Sequence, residues 1–188
     1  MKFDTGTELP DNFVLTKEFS DVYNLINDTN VNLFITGKAG SGKSTLLEYF
    51  RQNTNKNFVT LAFQGITAIK AKGQTLHSFF KFGPHFLAKE EIKLLKDKSL
   101  IQSLDTILID EISMVRADLF DAIDLSLKKN RKNNKPFGGV QMIVFGDVMQ
   151  IDPIVGSSDE EMMEKFYPKG RFFSIITYMK KKNLNKLN

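Results

Sequence analysis

The segment that most restricts how this chain can fold is the glycine-rich stretch at residues 37–44, which reads GKAGSGKS. It matches the pattern G-x-x-x-x-G-K-[ST], whose glycines let a loop wrap so that backbone N–H groups face phosphate oxygens. An apolar run precedes the stretch and a helical pattern follows it, as such a loop requires. The pattern predicts a nucleotide site in which Lys43 lies between the β- and γ-phosphates and Ser44 offers its hydroxyl to Mg²⁺. The predicted binding residues are Gly37, Ala39, Gly40, Ser41, Gly42, Lys43, Ser44 and Thr45. The alternative is a loop that keeps this shape without binding a nucleotide.

Four short apolar runs predict buried strands at residues 31–36, 58–62, 106–109 and 140–145. Helical patterns lie around and between them, at residues 17–28 behind the capping Thr16, and at 44–52, 89–96 and 118–129. Strands that alternate with helices predict an α/β fold, with a parallel sheet covered by helices on both faces.

The composition excludes several classes of protein. The chain has 188 residues, which suit one ordinary domain, and no cysteine, which excludes disulfides and thiolate metal sites. We expect no membrane span, because no apolar run reaches about 18 residues, and no secretory signal in the opening residues. An intracellular protein is expected, cytoplasmic or, in a bacterium, associated with the nucleoid. The net charge of +4 permits nucleic-acid binding, although the basic clusters at 128–135 and 180–182 are also typical of solvated loops and tails.

Acidic residues follow the third apolar run, where ILIDEIS places Asp110 and Glu111 at the end of a strand. We expect Asp110 to face the phosphates and hold Mg²⁺ directly or through water, and Glu111 to take a proton from an attacking water. Gln150 follows the fourth run and could sense the γ-phosphate or orient the water. Taken by itself, each of these strand ends is also typical of a simple solvated turn.

The segment at residues 64–82 combines small residues, hydroxyls, a histidine and phenylalanines. One interpretation is a contact with single-stranded nucleic acid, in which Thr75, His77 and Ser78 touch phosphates and a ring stacks on a base. The other is that the phenylalanines Phe79, Phe80 and Phe82 belong to the core and His77 makes internal hydrogen bonds. For the phenylalanines we favour the core. A metal role for His77 is not expected, because His85 brings no ligand cluster with it.

The order of the motifs resembles the petite-integration-frequency (Pif-one-type) DNA helicases of superfamily one, relatives of the RecD helicases. The phosphate loop is followed by GITA, GQTLHSFF, LIDEISMV, FGGVQ and GDVMQIDP. The resemblance implies a RecA-like P-loop domain that uses ATP and Mg²⁺ to move 5′ to 3′ on single-stranded DNA, in replication, repair, recombination or telomere maintenance. It also implies site residues, which are Lys43, Ser44, Asp110, Glu111 and Gln150 for ATP hydrolysis, and Gln64, Gly65, Thr75, His77 and Ser78 for DNA.

The sequence departs from the family pattern at several positions. Phe63 and Gln64 stand where the family has proline and threonine, and Phe19 stands near the place of a glutamine that reads adenine. The resemblance implies a leader at 1–15, a motor domain at 16–175 and a basic tail at 176–188, with the family's second RecA-like domain missing. The alternatives are a standalone nucleotide-binding module without motor activity and a generic P-loop ATPase, although the latter has no need for the GQTLHSFF motif.

Overall fold

The computed structural model describes residues 9–10, 12–38, 40–70, 73–147, 155–167 and 184–187. Within these ranges it contains six strands, namely β1 (Asn32–Thr36), β2 (Phe58–Ala62), β3 (Gln74–Thr75), β4 (Thr106–Asp110), β5 (Gln141–Gly146) and β6 (Leu184–Leu187). The helices are α1 (Lys17–Asp28), α2 (Lys43–Asn53), α3 (Gly65–Lys70), α4 (Leu76–Phe80), α5 (Ser99–Ser103), α6 (Ala117–Arg131) and α7 (Glu160–Phe166). Three short 3-10 turns lie at Lys89–Glu91, Ile112–Met114 and Pro136–Gly139.

The strands form one sheet in the order β3-β2-β4-β5-β1-β6, and every described pairing is parallel. Parallel strands need crossover connections, and the helices supply them. The α/β class and the parallel sheet predicted from the sequence are therefore confirmed. All four predicted strands are present, with ends within one residue of the predicted ones.

Alternate residues of the central strands point to opposite faces of the sheet and build two cores. Leu33, Leu108 and Ile143 pack with α1 and α2 on one face. Ile107 and Val144 belong to the larger core on the other face, with side chains of α4, α5 and α6. Both faces of the sheet are thus covered, as the unbroken apolar runs predict.

The prediction of a helix at 89–96 is wrong, because only the 3-10 turn Lys89–Glu91 forms there. The backbone beyond this turn bonds to α6 instead of to itself. Lys129 donates to the carbonyl of Ile92 at 2.8 Å, and the Leu95 N–H donates to Asn130 Oδ1 at 2.9 Å. Tertiary partners therefore replace the i→i−4 hydrogen bonds that a helix would need.

Strand β6 lies in the stretch that the sequence assigns to a basic tail. Its backbone pairs with β1 in register, with Asn32 opposite Leu184 and Ile35 opposite Leu187. Strand pairing uses backbone groups, which a lysine- and asparagine-rich segment also has. At the other end of the chain, Phe13 of the predicted leader packs against the rings of Phe19 and Tyr49. Among the described residues, no helix is both long and apolar enough to cross a membrane.

Candidate nucleotide site and the neighbouring sheet edge

A cavity of about 390 Å³ lies at the carboxyl ends of the central strands. The loop after β1, the end of β4 and the end of β5 meet there, since Thr36 pairs with Gly146 across β1 and β5. Open parallel sheets commonly bind ligands at this edge. The lining residues are Gly40, Ser41, Gly42, Lys43, Ser44, Thr45, Asp110, Glu111, Gly146 and Asp147.

Two glycines of the loop have backbone conformations that other residues rarely adopt, and a third lies close to the Ser41 side chain. Gly40 and Gly42 have φ values of 78° and 87°, in the left-handed region that glycine occupies without strain. A Cβ on Gly37 would lie 2.4 Å from the Ser41 hydroxyl oxygen. Helix α2 begins directly after Gly42, so its N-terminal N–H groups and the positive end of its dipole face the cavity.

Lys43 is the first residue of α2, and its ammonium turns back over the loop. Its Nζ donates to the carbonyl oxygens of Gly37 and Lys38, the latter at 2.9 Å, and lies 3.5 Å from Ser41 Oγ. These contacts hold a positive charge above the loop. The structure thus brings together the predicted loop residues it describes, while Ala39 lies outside the described residues.

Asp110 ends β4 beside this charge. Burial raises the pKa of its carboxyl above the ordinary value, and the neighbouring Glu111 raises it further. The Glu111 N–H, which donates to Asp110 Oδ1 at 2.9 Å, and the charge of Lys43 act in the opposite direction. A half-buried carboxyl group whose pKa is raised and that lies beside a lysine is a common feature of functional sites.

Glu111 has a backbone conformation that is uncommon for its residue type, with φ 51° and ψ 50°. This turn separates the end of β4 from the Ile112–Met114 turn and brings both carboxylates to the cavity. The Glu111 Oε2 atom accepts a hydrogen bond of 3.0 Å from the Thr67 hydroxyl of α3. Thr67 is a site neighbour that the motif analysis did not single out.

Gly146 and Asp147 also line the cavity although neither was among the predicted site residues. A Cβ on Gly146 would lie 2.7 Å from Ile112 Cγ2, so any larger residue at the end of β5 would have to displace the buried Ile112 side chain. The signal available in the sequence was the apolar run that ends in these two residues. Gln150, predicted to act in hydrolysis, lies outside the described residues.

The residues predicted to contact nucleic acid lie on the same sheet edge, at the ends of the next two strands, β2 and β3. Ala62 of β2 pairs with Asp110 on one side and with Thr75 on the other. At about 4.8 Å between strands, Thr75 and Asp110 are about 10 Å apart across the sheet. Gln64 and Gly65 follow β2 and are exposed. The two segments therefore form one surface beside the cavity.

Some groups on this surface are exposed to solvent, whereas others already bond to or pack against the protein. The Thr75 hydroxyl caps α4 by accepting from the Ser78 N–H at 3.2 Å, while the Ser78 residue itself is exposed. His77 packs edge-on against Phe63 with ring centroids 5.7 Å apart. Burial lowers the pKa of His77, and the positive charge of Arg116 lowers it further, which favours the neutral ring near pH 7.

The phenylalanines of the GQTLHSFF motif belong to the core, as favoured from the sequence. Phe79 and Phe80 are buried, and Phe82 stacks on Phe80 with ring centroids 5.3 Å apart. The basic cluster at 128–135 is partly internal, unlike a solvated loop. Arg131 donates to the carbonyls of Leu104 and Gly138, and Lys128 pairs with Asp124 at 2.8 Å.

The model of the PIF1-like helicase family matches residues 14–183. This match covers most of the 188 residues, including the cavity and the neighbouring sheet edge. The chain belongs to the PIF1-like helicase family. The resemblance inferred from the motifs is thereby confirmed.

Curated members of the PIF1-like family and solved structures agree with this assignment. The ATP-dependent DNA helicase RRM3 of Saccharomyces cerevisiae is 35% identical over 163 residues, which are 81% of this chain. The ATP-dependent DNA helicase Pif1 of a Psychrobacter species is 39% identical over 152 residues, which are 73% of this chain. A crystal structure of Bacteroides Pif1 in complex with ADP-AlF3 and single-stranded DNA covers 94% of this chain, at 37% identity and a TM-score of 0.81.

The chain is much shorter than these relatives. It spans 22% of the length of RRM3 and of the Psychrobacter Pif1, and 42% of the Bacteroides Pif1 chain. Since the Bacteroides Pif1 structure superposes on 94% of this chain, it confirms the predicted RecA-like P-loop fold.

Proposed function

We propose that this chain is the ATP-binding and ATP-hydrolysing first motor domain of a DNA helicase that acts on single-stranded DNA. The observation that carries the proposal is that Lys43, Asp110 and Glu111 line one cavity, and that the segments after β2 and β3 lie beside it on the same sheet edge. The residues proposed for ATP hydrolysis therefore lie next to those proposed for strand contact. The family relatives named ATP-dependent DNA helicases support the same activity.

Nucleotide binding is assigned to the loop and the start of α2. The loop presents backbone N–H groups, the N-terminus of α2 adds its dipole, and Lys43 adds a full positive charge. The Bacteroides Pif1 of the same fold was crystallised in complex with ADP-AlF3, which contains a nucleotide. We assign ATP to this cavity on that basis.

The oxygen donors of the cavity fit Mg²⁺. Among the described residues there is no group of three His, Cys, Asp or Glu side chains that could cage a metal. Mg²⁺ is ordinarily held by one or two protein oxygens together with substrate phosphates, and it then neutralises phosphate charge. Ser44 and Asp110, which both line the cavity, would supply those protein oxygens.

Hydrolysis is assigned to Glu111 as the general base. It lies beside Asp110 in the same cavity, where a carboxylate can accept the proton of an attacking water. Asp110, at the end of β4, would hold the metal rather than take the proton. We keep Gln150 as a proposed sensor of the γ-phosphate.

Single-stranded DNA is assigned to Gln64, Gly65, Thr75, His77 and Ser78. Exposed backbone and hydroxyl groups at Gly65 and Ser78 suit phosphate contacts, which position a strand without reading its sequence. Because the pKa of His77 is lowered, we expect it to contact DNA as a neutral ring rather than as a cation. The proposal extends to 5′-to-3′ movement, to roles in replication, repair, recombination or telomere maintenance, to an intracellular location, and to a second RecA-like domain outside this chain.

The test is binding of Mg-ATP to the purified chain and to Lys43→Ala, measured by calorimetry. The variant removes the charge above the loop, and we expect binding to be lost or greatly weakened while the circular dichroism spectrum stays the same. Single-turnover hydrolysis with and without oligo-dT then tests the motor assignment. Equal ATP affinity in both proteins would refute the assignment of the nucleotide site to this loop.

A further inference from the structure

One hydrogen bond joins the nucleotide cavity to the proposed strand-contact surface. The Thr67 hydroxyl of α3 donates to Glu111 Oε2 at 3.0 Å, although the two residues are 44 positions apart in sequence. Thr67 is half-buried, and it lies two residues after Gly65, which begins α3. The contact therefore connects a residue assigned to hydrolysis with a helix whose first residue, Gly65, is assigned to DNA.

Glu111 needs an external support of this kind. Its left-handed backbone makes it the residue at which the chain turns after β4, and its side chain has three rotatable bonds. A carboxylate on such a residue is oriented only if something holds one of its oxygens. Thr67 holds Oε2, while Glu111 lines the same cavity as Lys43 and Asp110.

Helix α3 is a small element with one buried side chain among those described. Ala68 is 3% exposed, whereas Ile66 and Ile69 are 69% and 77% exposed. The Ala68 N–H bonds to the carbonyl of Gln64 at 2.8 Å, so the exposed start of the helix and its buried anchor are directly linked. A short helix with little buried apolar surface moves at low cost when a ligand contacts its first turn.

We propose that Thr67 is a positioning residue for Glu111, through which occupancy of the Gln64–Gly65 surface alters ATP hydrolysis. This proposal rests on the proposed function, because it takes Glu111 as the general base. Thr67 itself is assigned no contact with the nucleotide or its phosphates. It acts by fixing the direction of the Glu111 carboxylate, and a strand bound at the start of α3 changes that direction by moving Thr67.

The first experiment compares Thr67→Val, Thr67→Ser and the matched control Thr60→Val in single-turnover ATP hydrolysis. Valine keeps the β-branched shape of threonine and removes the hydroxyl, while serine keeps the hydroxyl. Thr60 lies on β2, is 4% exposed, and its hydroxyl has no hydrogen-bond partner among the described residues. Losing that hydroxyl is therefore a control for the substitution itself.

We expect Thr67→Val to lower the hydrolysis rate at saturating ATP about tenfold, the effect of one hydrogen bond to a charged group. The ATP dissociation constant should stay within about twofold, and Thr67→Ser and Thr60→Val should hydrolyse at near the parental rate. A Thr67→Val rate equal to that of the parent overturns the positioning role alone. A parent that does not hydrolyse ATP, or a parent equalled by Lys43→Ala, overturns the proposed function and this inference with it.

The second experiment adds oligo-dT at low salt, in excess over the protein. The hydrolysis rate of the parent should change with oligo-dT, and Thr67→Val should lose most of that change while it binds a fluorescent oligo-dT as the parent does. Equal responses in parent and variant, or a parental rate that does not respond to oligo-dT, overturn the coupling. Thr67→Ser should respond as the parent does.

Discussion

Among the described residues, Arg116 is the charged residue that we expect to contribute most to the stability of this domain. It lies directly before α6, and its guanidinium donates to both Asp118 oxygens, at 3.0 and 2.7 Å, and to Asp159 Oδ2 at 2.8 Å. A further bond of 2.9 Å reaches the His85 carbonyl. Burial alone would lower the pKa of Arg116, but the Asp118 and Asp159 carboxylates raise it above its ordinary value.

The substitution Arg116→Met keeps an unbranched apolar stem and removes the guanidinium with its charge. The side chains of Arg116, Asp118 and Asp159 are 9%, 0% and 12% exposed, so two nearly buried carboxylates would lose their cation. Breaking a buried pair by removing one partner costs about 3–5 kcal/mol. Since domains have about 5–15 kcal/mol in total, a large part of the free energy of unfolding would be lost.

Urea unfolding followed by circular dichroism measures this loss, and a thermal scan should show a melting temperature roughly 6 to 20 °C lower. The matched control is Glu91→Gln, which breaks the exposed pair between His85 and Glu91, with side chains 59% and 50% exposed. That pair should contribute less than about 1 kcal/mol. If Arg116→Met and Glu91→Gln unfold at the same urea concentration, the assignment of stability to the buried pairs is refuted.

Two predictions concern the carboxylates of the cavity. The raised pKa of Asp110 means that its ionised form destabilises the folded state at pH 7. Asp110→Asn removes this charge and should therefore raise the melting temperature at pH 7. This difference in melting temperature should shrink as the pH falls through the raised pKa toward 3.8, the ordinary pKa of an aspartate. A lower melting temperature for Asp110→Asn at pH 7 would contradict the prediction. Glu111→Gln should bind ATP with parental affinity and hydrolyse it roughly 10²–10⁴ times more slowly, whereas a parental rate of hydrolysis would place the general base elsewhere.

Those parts of the fold that depend on local sequence could be predicted. The β4 and β5 strands are continuous apolar runs because both of their faces are covered, and such runs are readable without knowing the neighbours. The phosphate loop is equally local, since Gly40 and Gly42 are required by their own positive φ values. Thr16 caps α1 by accepting from the Phe19 N–H at 3.3 Å, as the sequence predicts.

The remaining features depend on partners far away in sequence. The segment after Glu91 has helical spacing, but Lys129 and Asn130 of α6 take its backbone groups. The basic run at 128–135 gives no sign that Arg131 would bond to the carbonyl of Leu104. Likewise, nothing in the GITA motif indicates that its threonine meets a glutamate 44 residues later, because this contact exists only once β2 and β4 pair.

Unwinding is the activity that we expect this chain to lack when it is purified as a 188-residue polypeptide. The cavity is formed by one RecA-like domain, and among the described residues no arginine lines it. We propose that a second RecA-like domain completes the site, and an arginine supplied in trans is commonly worth roughly 10³–10⁵ in rate. A single domain has no partner to close against, and the residues proposed for strand contact would form one wall of a DNA channel. Hydrolysis should therefore be slow and DNA binding feeble and salt-sensitive.

The measurement is strand displacement on a duplex with a 5′ single-stranded tail, with Mg-ATP and the purified chain. The expected result is no displaced strand at any protein concentration at which the chain is monomeric. The matched sample is Lys43→Ala, which sets the background, because it should neither bind ATP nor unwind. Displacement that depends on ATP, exceeds this background and comes from a monomer would contradict the need for a second domain. Displacement that appears only when copies of the chain associate would show that another copy can complete the ATP site.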